Sequence, residues 1–211
     1  VAGVADFDGD GQPDILWRNR ASGANALWRM NGSARAGSFT LNTTADQNWQ
    51  VVGAADVDGD GKADIVWRNA ATGANAVWLM DGGTRRSAHN LPVTADLAWR
   101  VVSVTDFDGD GKADLLWRNV KTGANALWRM DGATRLAAHT LPTTADVRWK
   151  IVAVGDFDAD GRPDLMWRHM GDGRNLLWTM DGATRLATWT LPTAADLNWI
   201  TRSEEHTSEL Q

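Results

Sequence analysis

The sequence predicts an all-β chain of four four-stranded antiparallel repeats. Three observations carry that expectation: a strict fifty-residue period, short apolar runs separated by turn residues, and an Asp-rich loop at one fixed place in every period. Asp6, Asp56, Asp106 and Asp156 open the same nine-residue motif, and Trp28, Trp78, Trp128 and Trp178 fall at the same later point. The repeats run approximately over 1–48, 49–98, 99–148 and 149–198, so 1–200 reads as one repetitive segment. Repetition decides the organisation here, because 211 residues would on length alone allow one domain or two.

The second repeat shows how the strands are placed. Trp49 to Ala55 (WQVVGAA) is a β-branched apolar run that leads into the loop Asp56 to Asp64. Ile65-Val66-Trp67-Arg68 resumes the run, Thr72-Gly73 supplies a turn, and Ala74 to Met80 forms a third run that ends at Asp81-Gly82. Asp-Gly between apolar stretches is a strong hairpin signal. A weaker segment from Arg86 to Leu91 stops at Pro92, whose missing N–H suits an outer edge strand. Four strands in about fifty residues match one β-propeller blade, and blades stacked face to face explain runs that are apolar on both sides. Trp17, Trp28, Trp49 and their copies are assigned to packing between blades, since a buried Trp removes roughly 150–250 Å² from water. Position 39 and its copies vary as Phe39, His89, His139 and Trp189, which marks an exposed contact position.

Composition excludes several chemistries. There is no Cys, which removes disulfides, thiol nucleophiles and Cys-ligated metals. No apolar run approaches the ~18 residues of a membrane helix, so no membrane insertion is expected, and any export signal would lie upstream of Val1. Phosphate-cradling loops and basic tracts are missing, so no nucleic acid is expected as a partner. The formal charge of −6 carries no message about partners, because divalent ions in the four loops would more than cancel it.

Each loop reads Asp-x-Asp-x-Asp-Gly-x-x-Asp. The carboxylates are Asp6, Asp8, Asp10 and Asp14; Asp56, Asp58, Asp60 and Asp64; Asp106, Asp108, Asp110 and Asp114; and Asp156, Asp158, Asp160 and Asp164. Carboxylates at positions 1, 3 and 5 can converge on one hard cation, Gly at position 6 permits the sharp turn, and the carbonyl of position 7 faces the site. Position 7 is Gln12, Lys62, Lys112 or Arg162; such variation suits a main-chain ligand whose side chain points to solvent. The loop is not an EF-hand, because Trp17, Trp67, Trp117 or Trp167 stands where the bidentate Glu is required. Empty, the four carboxylates repel: at ~5 Å and an effective dielectric of ~20, each pair costs on the order of 3 kcal/mol. Calcium, about one ion per repeat, is the expected cofactor, and magnesium fits less well because it demands a tight octahedral shell.

The loop, the Ala-Asp-Ile/Leu-x-Trp-Arg-Asn that follows it, and the Trp-x-Met-Asp-Gly hairpin together resemble the bacterial FG-GAP-like, or VCBS, repeats. The resemblance covers residues 1 to about 200, and through it the chain is similar to the calcium-bearing blades of the integrin α-subunit head. It implies metal ligation by the four Asp quartets and the position-7 carbonyls. It also implies an extracellular module, secreted or on a bacterial cell surface, for adhesion or for recognition of a glycan or protein, with calcium structural. An accessory propeller of a larger secreted hydrolase or other enzyme is the alternative. Within the chain no Ser/His/Asp constellation can be assembled: His89 and His139 occupy equivalent points of different repeats and His169 stands alone, so no catalytic residue is expected. The resemblance implies further blades of the same chain, with these four forming an open fragment of a larger propeller.

The fourth copy departs slightly, with Ala159 in place of the first loop Gly. Residues 201–211 abandon the repeat, hold every Glu in the chain (Glu204, Glu205, Glu209) and resemble the translation of a sequencing-adapter oligonucleotide. They are expected to be a disordered, non-native tail.

Overall fold

The computed structural model describes residues 1–199, and the expected tail at 201–211 lies outside them. Among the described residues there are sixteen strands and no helix, so none is long and apolar enough to cross a membrane. The first repeat contains β1 (Gly3–Ala5), β2 (Asp14–Arg18), β3 (Asn25–Asn31) and β4 (Ala34–Leu41); the second contains β5 (Trp49–Ala55), β6 (Asp64–Asn69), β7 (Asn75–Asp81) and β8 (Thr84–Leu91). The third contains β9 (Trp99–Thr105), β10 (Asp114–Asn119), β11 (Asn125–Asp131) and β12 (Thr134–Leu141); the fourth contains β13 (Trp149–Gly155), β14 (Asp164–His169), β15 (Asn175–Asp181) and β16 (Thr184–Leu191). Each set of four makes its own sheet, with every strand beside its sequence neighbours. This up-and-down meander is the topology of a propeller blade. Pro92 directly follows β8, an outermost strand, where its missing N–H breaks no ladder bond.

The turns form where the backbone chemistry demands them. Gly23, Gly73, Gly123 and Gly173 all have φ of 73 or 74°. At Gly73 a Cβ would lie 2.1 Å from the Thr94 carbonyl oxygen, so any larger residue would break the close approach of two chain segments. That approach is fastened by a buried arginine. Arg68 donates from Nη1 to the Gly73 carbonyl (3.3 Å) and Asn75 Oδ1 (2.9 Å), and from Nη2 to the Thr94 carbonyl (3.2 Å). Arg18, Arg118 and Arg168 repeat the arrangement. In each case carbonyl and amide oxygens hold the Nη atoms of the cation.

Contacts divide the chain into two compact units, Val1–Leu97 with Met130–Leu136, and Ala98–Arg129 with the described residues from Ala137 onward. The core of the first unit takes Phe7, Leu16, Leu27 and Leu41 from the first repeat and Ile65, Trp67, Trp78 and Met80 from the second. The core of the second unit repeats the scheme with Phe107, Leu116, Leu127 and Leu141 against Leu165, Trp167, Trp178 and Met180. Within each unit, then, a Phe/Leu face of one sheet packs against a Trp/Met face of the next.

Successive strand positions supply opposite faces, which is why β6 (DIVWRN) is buried along its whole length instead of alternating. Trp67 and Trp167 are each 1% exposed, whereas Trp17 and Trp28 of the first sheet are half-buried. Within a sheet the two Trp rings tilt together, their centroids 4.7 Å apart for Trp67 and Trp78. Between sheets Arg18 stacks over Trp67 at 5.1 Å and Arg118 over Trp167 at 4.8 Å. Trp67, Trp78, Trp167 and Trp178 are therefore packing residues between sheets, whereas Trp199, a copy of Trp49, is 70% exposed.

Candidate metal centres

Each acidic loop joins the first and second strands of its sheet, and its own backbone folds it. In the second loop Asp56 Oδ1 accepts the N–H of Gly59 (2.7 Å) and of Asp60 (3.2 Å), while Oδ2 accepts that of Gly61 (2.7 Å). Asp60 Oδ1 accepts the N–H of Lys62 at 2.9 Å. The last carboxylate of the loop is also its anchor. Asp64 Oδ2 accepts the N–H of Val57 (3.1 Å) and Oδ1 that of Met80 on β7 (2.8 Å), and the side chain is fully buried. Asp14 and Asp164 make the same two bonds.

This architecture gathers oxygen atoms. Ligand atoms of Asp6, Asp8 and Asp10 lie within 4.8 Å of one another, as do those of Asp56, Asp58 and Asp64; of Asp106, Asp108 and Asp114; and of Asp156, Asp158 and Asp164. The fourth carboxylate of each loop stands outside that group: Asp14 in the first, and Asp60, Asp110 and Asp160 in the others. One acidic cluster per repeat could thus hold a metal ion. The residues fit such an ion on a direct observation. Asp8 Oδ1 and Asp58 Oδ1 are buried oxygens with no hydrogen-bond partner, a costly state for a carboxylate unless a cation satisfies it.

The electrostatics agree. Burial pushes the Asp64 carboxyl up to about 7, against the backbone bonds from Met80 and Val57, with Asp58 and Asp56 adding to the rise. Asp14 is raised by burial in the same way. Asp158 is raised by burial and then by the neighbouring charges of Asp164 and Asp160.

Three features differ from the sequence expectation or escaped it. Three of the position-7 side chains, though partly exposed, reach the β-hairpin of their own sheet. Lys62 pairs with Asp81 and Arg162 with Asp181, while Gln12 Oε1 accepts the N–H of Gly32 at 2.6 Å. A visible signal went with this: the first repeat, with uncharged Gln12, has Asn31 where the second and fourth have the partner Asp. His169 does not stand alone either. It is buried, with Nε2 3.1 Å from Asp146 Oδ2 and Nδ1 2.6 Å from Asp172 Oδ1. Its counterpart Asn69 donates to Asp46 Oδ2 at 2.8 Å, so the imidazole replaces a structural amide.

The third feature is a set of arginines on the loops. Arg29 lies 3.6 Å from Asp8, Arg86 lies 2.6 Å from Asp58 and 2.8 Å from Asp60, and Arg129 pairs with Asp108 and, at 3.6 Å, with Asp110.

Ala159 carries a backbone cost. Its φ is 62°, the left-handed region that Gly9, Gly59 and Gly109 occupy freely at 77 to 79°. Ala159→Gly is expected to raise stability by about 1 kcal/mol, read as a shift of the urea midpoint in chelator.

Four sheets of blade topology, each with an acidic loop between its first two strands, define a β-propeller repeat protein. Residues 6–67, 56–117 and 106–167 match the FG-GAP-like repeat, and the chain belongs to that family. No curated protein sequence matches it. Among solved structures, a chain of the nidogen/laminin complex is 16% identical with a TM-score of 0.46, over 83% of this chain and 59% of that one. The calcium-binding protein regucalcin from Agrobacterium tumefaciens is 12% identical with a TM-score of 0.42, over 92% and 76%. The V. cholerae biofilm matrix protein Bap1 is 16% identical with a TM-score of 0.38, over 95% and 40%. This chain therefore spans less than two thirds of the length of the first and third of these.

Proposed function

We propose that the chain is a non-catalytic, extracellular calcium-binding propeller module that presents a surface to a glycan or protein, with its calcium structural. The observation that carries this reading is an acidic cluster in the loop between the first two strands of all four sheets. Structural ions recur with the repeat they stiffen, whereas a catalytic centre is one constellation of unlike groups. Calcium supplies charge neutralisation and flexible oxygen coordination. The Asp at positions 1, 3, 5 and 9 of each loop, with the carbonyls of Gln12, Lys62, Lys112 and Arg162, would hold it.

Other features support display over catalysis. Both ring nitrogens of His169 face carboxylates, which leaves none for a substrate. His89 and His139 are exposed on outer strands. Two cavities of about 230 and 220 Å³, one beside the first loop and one between Trp49, Trp67, Trp78 and His89, fall below the roughly 300–1,000 Å³ of small-molecule pockets. Phe39 and Trp189 are 39% and 58% exposed, and with His89 and His139 they place a variable aromatic side chain on each outer strand. That is the surface assigned to partner contact.

Titration calorimetry with calcium and then with magnesium tests the reading. One calcium per acidic cluster, with magnesium much weaker, is expected, followed by a glycan-array signal that the Trp189→Ala variant loses. No heat from calcium would sink it.

A further inference from the structure

The three loop arginines come from two different strand positions, yet they do the same thing. Arg29 and Arg129 sit at equivalent points of β3 and β11, where the second and fourth repeats have Leu79 and Thr179. The second repeat restores the cation from the neighbouring strand. Arg86 belongs to β8 at a β-bulge, the unpaired residue between the pairs Leu79↔Ser87 and Met80↔Arg85. A bulge re-aims its side chain, and this one puts the guanidinium on both Asp58 and Asp60. The equivalent bulge residue in the fourth repeat is Leu186, 58% exposed, between Thr179↔Ala187 and Met180↔Arg185. The fourth loop thus has an arginine from neither strand. Among the described residues no cation lies within 4 Å of Asp156, Asp158 or Asp160.

Cations elsewhere on the loops do not substitute for these arginines. Lys62 and Arg162 are drawn off to the hairpin carboxylates Asp81 and Asp181. Arg86 holds Asp58 by Oδ2, the outer oxygen, and leaves the buried Oδ1 unbonded.

We propose that Arg29, Arg86 and Arg129 are built-in counterions that hold the first three loops together without metal and weaken their affinity for calcium, leaving the fourth loop as the unattenuated site. This rests on the calcium reading above. The physical sense is fixed by charge: each guanidinium relieves carboxylate repulsion in the metal-free loop and repels the incoming cation. Calcium affinity in oxygen-rich loops follows the charge of the ligand set. For a solvent-screened unit charge several ångströms from a divalent ion, the effect on the dissociation constant is about 10-fold. Metal-free order and calcium affinity are therefore traded against each other loop by loop, and the protein responds to calcium over two concentration ranges.

The test is a calcium titration of the whole chain followed by NMR. The amides of Gly11, Gly61, Gly111 and Gly161 report the four loops separately. Gly161 is expected to saturate at the lowest calcium. Arg86→Gln should move the Gly61 midpoint about 10-fold lower and leave the other three unmoved. Leu186→Arg, a change at an exposed bulge that adds a cation rather than removing one, should move the Gly161 midpoint higher by a similar factor. Midpoints of Gly61 and Gly161 unchanged in both variants, with all four loops still titrating, would overturn the counterion role while leaving the calcium module intact. If none of the four amides responds to calcium, the calcium reading itself fails.

Discussion

Chelating calcium is expected to lower the melting temperature by 10 °C or more, and magnesium is expected not to restore it. An ion present at about 100 times its dissociation constant adds roughly 2.7 kcal/mol per site, and one kcal/mol shifts the midpoint of a chain of this size by about 2–4 °C. Four sites of even modest affinity therefore exceed the threshold. The effect has a predictable pH dependence through Asp64. In the metal-free protein its folded value of about 7 lies above the ordinary value of 3.8, so the folded state holds the proton more tightly than the unfolded state does. That contribution is complete below about pH 4 and is lost as pH rises through 7. Calcium needs the ionised form, so its affinity rises over the same window. Scanning calorimetry with and without chelator should show a calcium-dependent gain that is larger at pH 8 than at pH 5.5. A gain equal at both pH values would remove Asp64 from the site, and no gain at either would remove calcium.

The second large effect concerns the same residue without any metal. Asp64→Ala, measured by urea unfolding in chelator, is expected to cost about 3–5 kcal/mol, because it strands the buried N–H groups of Val57 and Met80 at once. Asp60→Ala in chelator is expected to cost under about 1 kcal/mol, since its partners Lys62 N–H and Arg86 are solvent-exposed. The two carboxylates look equivalent in the motif. They separate into a clamp on which the loop is built and a residue whose value depends on the ion. Similar costs for the two would mean that the loop, not the clamp, joins β5–β6 to β7.

That separation marks the boundary of what the sequence conveys. The strands, the turns at Thr72-Gly73 and Asp81-Gly82 and the edge position before Pro92 were legible because they rest on local chemistry repeated four times. The Asp quartets were legible for the same reason. The clamp role of Asp64, the pairing of Lys62 with Asp81 and the reach of Arg86 to Asp58 span 16 to 28 residues. Each depends on strand register, and Arg86 depends on a bulge that no pattern of apolar residues announces. His169 is a related case: one copy departs from Asn69, and its partner Asp146, 23 residues away, becomes a neighbour only once the sheet is paired, while Asp172 is a local partner three residues on. In two of these cases substitutions at two positions moved together between copies. Gln12 with Asn31, and Leu79 with Arg86, carried the information.

The unlike faces that meet within each unit have a consequence for how such a chain changes over generations. In both units a Phe/Leu surface of one repeat meets a Trp/Met surface of the next, so these two junctions are chemically the same junction. Gain or loss of fifty residues in frame, at any matching pair of points, rejoins a donor face to an acceptor face with no new packing problem. Unequal recombination between copies therefore lengthens or shortens the array at little structural cost. Position 39 diverges only together with the hairpin it meets, since the Phe39 ring occupies the space that a Cβ on Gly83 would fill.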